Sequence, residues 1–186
     1  TDFKKFDDLH YEFEKKYRYY QRHITVPKEM EKLLCYHGDK GHRLVIFSNG
    51  NVKNQGAKIE ALGMDRWFKV ENIIISEVTG YHKPSLEAFR YVEKHLQLNP
   101  EDIWYIGDTY EADVFGGKRA GWNVIWYNHR RREVPEDNLA DITVNIFKNV
   151  TAAEKTRIKA QPHKAASFNY FLYLLILQIT AMLAQG

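Results

Sequence analysis

Ile103-Trp104-Tyr105-Ile106 is an apolar run without polar alternation, and it stops at Gly107-Asp108. A strand with one face in water alternates apolar and polar residues. One that does not alternate is buried on both faces, which requires a mostly parallel sheet covered by helices. In such sheets the loops at the carboxyl ends of the strands form the crevice where ligands bind. Asp108 is the first side chain past this strand, with Asp113 close behind it, and Gly107 lets a ligand come near the backbone. Two carboxylates so near in sequence repel each other unless a cation lies between them. Hard oxygen ligands of this kind suit Mg²⁺, which is typically held by one or two carboxylates and a substrate phosphate. The same residues also fit a helix start, one Asp as the cap and the next in the first turn. The stretch alone leaves both open.

The pattern recurs along the chain. Arg43-Leu44-Val45-Ile46-Phe47 is a second such run, closed by the turn residues Ser48-Asn49-Gly50; Asn72–Ile75 and Asn123–Tyr127 are further strands, and Ile142–Val144 a short last one. Between them lie helical patterns: Pro27–His37, Lys53–Leu62 stopped by Gly63, Ser85–Leu96, and Ala112–Ala120 ended by Gly121. Strands alternating with helices predict an α/β fold with a parallel sheet covered on both faces. Ahead of it, Phe3, Phe6, Leu9, Phe13, Tyr17 and Tyr20 recur at roughly helical spacing. Asp2–His23 is therefore read as an amphipathic helix whose aromatic stripe is packing surface.

Placed on this scaffold, Ser48 and Asp108 stand at the carboxyl ends of two strands, with Lys83 of His82-Lys83-Pro84 on a loop between them. A hydroxyl, an ammonium and a carboxylate pair for a metal are the parts that hold a phosphoryl group while its charge is neutralised. Taken singly, Ser48 fits a turn residue and Lys83 a solvated lysine; the functional signal is their convergence.

At 186 residues the chain fits one main domain. The net charge of +3 comes from Lys and Arg spread along the chain, which does not point to nucleic acid. Cys35 stands alone, which excludes an intramolecular disulfide and fits a reducing compartment; no charged-then-apolar leader opens the sequence, and a cytoplasmic location is expected. The eight histidines form no zinc-type pair, and no phosphate-binding Gly-x-x-x-x-Gly-Lys-Ser/Thr loop occurs. His129-Arg130-Arg131-Arg132 follows a strand and could meet an anion, although a solvated loop is the commoner use of such a run.

From Pro27 to Val150 the sequence resembles the haloacid dehalogenase-like hydrolases, most closely their phosphatase branch with a helical cap. Ser48 in Phe47-Ser48-Asn49-Gly50 looks like the second motif of that family, Lys83 in His82-Lys83-Pro84 like the third, and Gly107-Asp108-Thr109-Tyr110-Glu111-Ala112-Asp113 like the fourth; the likeness continues through Gly116–Trp122. The resemblance implies a Rossmann-like parallel sheet flanked by helices and a Mg²⁺-dependent phosphomonoesterase acting on a small phosphorylated metabolite through an aspartyl-phosphate. Ser48, Asn49 and Lys83 would bind phosphate. Asp108 would bind the metal, and Asp113 the metal or Lys83. Metal-free dehalogenation, the sister chemistry, fits the acidic pair poorly.

The family attacks with the first aspartate of an Asp-x-Asp motif on a strand that precedes the cap and lies centrally in the sheet. This sequence has none: Asp7 and Asp8 are adjacent and follow no apolar strand. Residues 1–26 look like the end of the helical cap, 27–150 like the hydrolase core without its first strand, and 151–186 like a basic linker and an apolar helix. The chain is thus expected to be a fragment, inactive alone; the alternative is a non-catalytic relative that binds phosphate or a partner. The apolar run at 168–183 is apolar on all sides and short for a membrane span. It leaves open a membrane anchor, which is not the favoured use, a helix filling the gap left by the missing strand, or a tail from a misread frame. Substrate identity and oligomeric state are not legible.

Overall fold

The computed structural model describes residues 24–146, together with Tyr11, Glu12, Lys15, Asn149 and the backbone of 170–173. Most of the expected cap remnant at 1–26, including Asp7 and Asp8, and most of 151–186 lie outside the described residues. In chain order the elements are α1 (Lys28–Asp39), β1 (Arg43–Ser48), α2 (Val52–Ala61), β2 (Ile73–Ile75), α3 (Ser76–Thr79), α4 (Leu86–Leu96), β3 (Ile103–Gly107), a π-helical turn Tyr110–Phe115, α5 (Gly116–Arg119), β4 (Asn123–Tyr127), β5 (Ile142–Val144) and β6 (Tyr170–Tyr173).

The strands form one parallel sheet in the order β2-β1-β6-β3-β4-β5. The missing polar alternation in β1 and β3 now has its cause. Successive side chains of a strand point to opposite faces. Leu44 and Ile46 of β1 join Trp104 and Ile106 of β3 in one core under Met30, Leu33 and Leu34 of α1. Val45 and Phe47 join Ile103 and Tyr105 in a second core, under Phe89 and Val92 of α4 and with Trp122 and Trp126. The predicted α/β sheet covered on both faces is the observed architecture. At roughly 1.5–3 kcal/mol for each fully buried large side chain, these two cores are the main source of stability.

Local signals set the helix ends. Asn51 accepts the Asn54 N–H at 2.7 Å and caps α2, and Ser85 caps α4 by accepting the Ala88 N–H at 3.3 Å. Gly63, expected to stop α2, lies in the left-handed region at φ 58°.

Two elements differ from expectation. In place of one helix over 112–120, the chain makes the π-helical turn and then α5. Such wide turns commonly occur at functional sites. Here the turn draws Asp113 back against the end of β3, where its side chain lies against Gly107 and a Cβ on that glycine would collide with it. Gly107 is therefore needed for Asp113, whereas its sequence reading invoked a ligand's approach.

The second difference is in the apolar run at 168–183, read as a helix. Over Tyr170–Tyr173 it is a strand, paired in parallel with β1 on one side (Leu172 beside Val45) and β3 on the other (Leu172 beside Tyr105). Periodicity cannot tell a buried strand from a buried helix in a short apolar run. A slot with unpaired backbone on both sides decides for the strand, because each buried N–H and C=O must find a partner. β6 takes the central position at which the resemblance places the missing strand, and its sequence, Tyr-Phe-Leu-Tyr, contains no acid. Among the described residues no helix is long and apolar enough to cross a membrane.

Candidate active site

The carboxyl ends of β1 and β3 face the loop that carries Lys83. Ser48 closes β1 and is buried, its hydroxyl donating at 3.3 Å to the Asn49 carbonyl. The Asn49 side chain clasps the backbone of Lys83 from both directions: its amide donates to the Lys83 carbonyl at 2.9 Å and its oxygen accepts the Lys83 N–H at 3.0 Å. This joins the turn after β1 to the Lys83 loop, far away in sequence, and engages the Asn49 amide within the protein.

Lys83 crosses the floor of the site. Its Nζ donates to Asp113 Oδ1 at 2.9 Å, to the Tyr105 hydroxyl at 2.8 Å and to the Phe47 carbonyl at 3.3 Å, and it lies 5.0 Å from the centre of the Phe47 ring. Burial pulls the ammonium down from its ordinary value, while the Asp113 carboxylate, by charge and hydrogen bond, and Asp108, by charge, push the other way. Burial first, then the same carboxylates, raises the Tyr105 phenol well above its ordinary value, so it stays protonated and donates to Asp113 at 2.8 Å.

Asp113 accepts four donors. Oδ1 takes Lys83 and Tyr105; Oδ2 takes the backbone N–H groups of Asp108 and Thr109 at 3.1 and 2.9 Å. An ionised carboxylate has about four acceptor sites, so the geometry gives Asp113 to Lys83 and to the loop that carries Asp108.

Asp108 is buried, at 4% exposure. Its Oδ1 accepts the Thr109 hydroxyl at 3.2 Å; its Oδ2 lies 3.1 Å from His129 Nε2 and 3.7 Å from Arg130 Nη2. Its carbonyl accepts the Trp126 indole N–H at 3.3 Å. Among the described residues no group of three or more His, Cys, Asp or Glu gathers around a common point. Asp108 is the carboxylate suited to a hard cation, and Mg²⁺ needs few protein ligands because it keeps several waters. Beside it the buried Nδ1 of His129 has no hydrogen-bond partner, which marks this corner as incompletely satisfied.

Ser48 at the end of β1, Asp108 after β3, Lys83 on its loop and Asp113 in the π-helical turn come to one edge of the sheet, with Asn49 acting through the Lys83 backbone. Sequence reasoning missed Tyr105 and left His129 and Arg130 in a solvated loop. The available signals were positional. Tyr105 brings a hydroxyl to a wholly buried strand face, and His129 follows the end of β4 much as Asp108 follows β3.

Comparison with known proteins bears on the family of the chain. A family model described as haloacid dehalogenase-like hydrolase matches residues 2–121. The chain is similar to a glyceraldehyde 3-phosphate phosphatase of Pyrococcus abyssi, 31% identical over 98 residues that make up 53% of this chain and 40% of the relative. It is similar to the N-acylneuraminate-9-phosphatase of Homo sapiens, 30% identical over 108 residues, 58% of this chain and 42% of that protein. Among solved structures, the magnesium-bound HAD-hydrolase YfnB of Bacillus subtilis superposes with a TM-score of 0.58 at 27% identity, over 64% of this chain and 52% of that one. A HAD hydrolase of Entamoeba histolytica gives 0.67 at 18% identity over 82% and 70% of the two chains, a likeness of fold. The chain spans less than half the length of these curated relatives. With its sheet order, its strand-end residues and a family match over more than half its length, the chain belongs to the haloacid dehalogenase-like hydrolases.

Proposed function

We propose that this chain carries the phosphate- and cation-binding side of a Mg²⁺-dependent phosphomonoester hydrolase that acts on a small phosphorylated metabolite in the cytoplasm. The observation that supports this best is the buried Lys83, held by Asp113 and Tyr105 at the Phe47 carbonyl, next to Ser48 and on the same sheet edge as Asp108. A charge held in place and out of water acts on a phosphoryl oxygen more strongly than a solvated one does, with nothing to reorganise when negative charge develops. Ser48 donates its hydroxyl to the phosphoryl group, and Lys83 neutralises charge on it. Asn49 fixes the Lys83 loop. Asp113 keeps the ammonium aimed, and its bonds to the Asp108 and Thr109 N–H groups set the position of Asp108. Asp108 is the residue that would hold Mg²⁺, which when bound supplies charge neutralisation to the phosphoryl oxygens.

The chain by itself binds phosphate without hydrolysing its esters. The support for this is β6, which fills the central slot between β1 and β3 with a segment that has no acid. The experiment is p-nitrophenyl phosphate hydrolysis with Mg²⁺ by a protein in which an apolar strand ending in Asp-x-Asp precedes this chain. Phosphate release is expected there and is abolished by Asp108→Asn, while the isolated chain releases none. Turnover unchanged by Asp108→Asn would sink the assignment.

A further inference from the structure

The amino-terminal edge of the sheet, opposite the candidate active site, holds a cavity of about 340 Å³ at the starts of β1 and β2. Its volume is at the small end of the range for small-molecule pockets. Arg43, which lines it, and Ser48 stand at the two ends of β1, about 16 Å apart at 3.3 Å per residue. None of the residues assigned to phosphate or cation lines it.

The polar lining is rich in donors. Arg43 Nε donates to Oδ1 of the buried Asn72 at 2.9 Å, and Nη1 donates to the Leu96 carbonyl at 2.9 Å. These bonds hold the guanidinium in place and use two of its five N–H groups; the others have no partner among the described residues. The Lys69 ammonium and the Trp67 indole N–H, also in the lining, have no hydrogen-bond partner among the described residues either. Trp67 is partly exposed, packs on the core and carries the Arg66 guanidinium over its ring at 4.1 Å, so it forms a firm flat wall. His42 is pulled down to about 4, chiefly by burial, and is uncharged at neutral pH. Arg43 and Lys69 against the carboxylate of Glu71 leave the lining positive.

A surface lysine or tryptophan ordinarily meets water. A guanidinium fixed by the protein beside an aromatic wall differs, because less freedom is lost when it binds an oxyanion. We infer that this cavity is a second ligand site, which takes a small organic oxyanion, a carboxylate or a phosphate, carrying a flat ring. Arg43 and Lys69 hold the oxyanion and Trp67 packs on the ring.

The test is titration of the full chain, in EDTA, with benzoate and with phenyl phosphate, and with acetate and inorganic phosphate as ring-free controls. Calorimetry gives affinity, and tryptophan fluorescence gives place, since Trp104, Trp122 and Trp126 are all buried. Lys83→Met run alongside subtracts any phosphate bound at the candidate active site. Benzoate, phenyl phosphate or both should bind more tightly than the ring-free controls, change the fluorescence and survive Lys83→Met; the tighter of the two identifies the oxyanion. Trp67→Phe should remove the fluorescence change. Arg43→Gln should weaken binding by about tenfold or more, the loss of a charged hydrogen bond. Lys69→Ala, at an exposed position that leaves the fold intact, should weaken it by roughly two- to fivefold. Absence of binding that survives Lys83→Met, or affinity the same in the Arg43 and Lys69 variants as in the unmodified chain, would overturn the site. Ring-free anions binding as tightly as benzoate and phenyl phosphate would overturn the role of Trp67.

Discussion

Asp113 Oδ1 holds Lys83 Nζ at 2.9 Å in an ion pair in which the two side chains are 1% and 2% exposed. Coulomb attraction in such a place offsets a large desolvation cost, so the pair is weak support for stability but a sensitive point of failure. Removing one partner leaves a buried charge uncompensated. Asp113→Ala is expected to destabilise the chain by about 3–5 kcal/mol, measured as a fall in the urea midpoint. A change below about 1 kcal/mol, the ordinary range for an exposed pair, would show that Lys83 is not confined as described.

Gly107 is predicted to be intolerant of a methyl group. A Cβ there would meet the Cβ of Asp113, whose carboxylate is fixed by four donors and cannot give way cheaply. Gly107→Ala should cost about 1–3 kcal/mol by overpacking and should weaken phosphate binding through Lys83. Loss of stability with phosphate affinity intact would separate Gly107 from the site.

The His37–His42 pair sets a pH response. The two Nδ1 atoms are 2.7 Å apart, one donating to the other, and His42 is pulled down to about 4 by burial first and then by His37 and Lys40. In the unfolded chain His42 takes up a proton near its ordinary 6.5, and in the folded chain only near 4. The unfolded state therefore binds more protons between these values, and stability rises with pH across that window and falls on acidification through it. His42→Gln should flatten the urea midpoint between pH 4 and 6.5 relative to the unmodified chain; an unchanged slope would contradict it.

Strand β6 is expected to hold the sheet together, because β1 and β3 each pair with it and not with each other. Leu172→Pro removes a ladder N–H at a position flanked by Val45 and Tyr105. It should cost roughly 1–3 kcal/mol, the penalty for a buried backbone group left unpaired, and lower hydrogen-exchange protection in Arg43–Ser48 and Ile103–Gly107 together. Protection unchanged in both strands would mean that β6 contributes nothing to the sheet.

Much of this arrangement could be read from the chain. The strands were legible because each apolar run feeds two cores at once, Leu44 and Ile46 one and Val45 and Phe47 the other, which only a doubly covered sheet satisfies. Ser48 and Asp108 were legible as strand-end residues because strand ends fix where their side chains gather, and Lys83 was read on a loop between them. The partner of Asp113 was not, since a carboxylate in sequence carries no sign of whether it will meet an ammonium, a phenol or an ion. The π-helical turn was hidden for a related reason: it exists to bring Asp113 onto Gly107, a contact across the strand end. His129 was missed because the clasp that buries it is made on the Arg132 backbone by Asn128, a residue whose own role depends on the turn. β6 was misread because the slot that makes it a strand is formed by residues far away in sequence.

The central claim is that Lys83 and Asp108 form one phosphate site that works with a divalent cation. Its most direct test is calorimetric titration of inorganic phosphate into the chain with Mg²⁺ and with EDTA, for the unmodified protein, Asp108→Asn and Lys83→Met. Phosphate should bind more tightly with Mg²⁺ than with EDTA. Asp108→Asn should remove that difference, and Lys83→Met should weaken binding by about tenfold or more under both conditions, the loss of one charged hydrogen bond. Phosphate affinity that is the same in all three proteins and indifferent to Mg²⁺ would contradict the account.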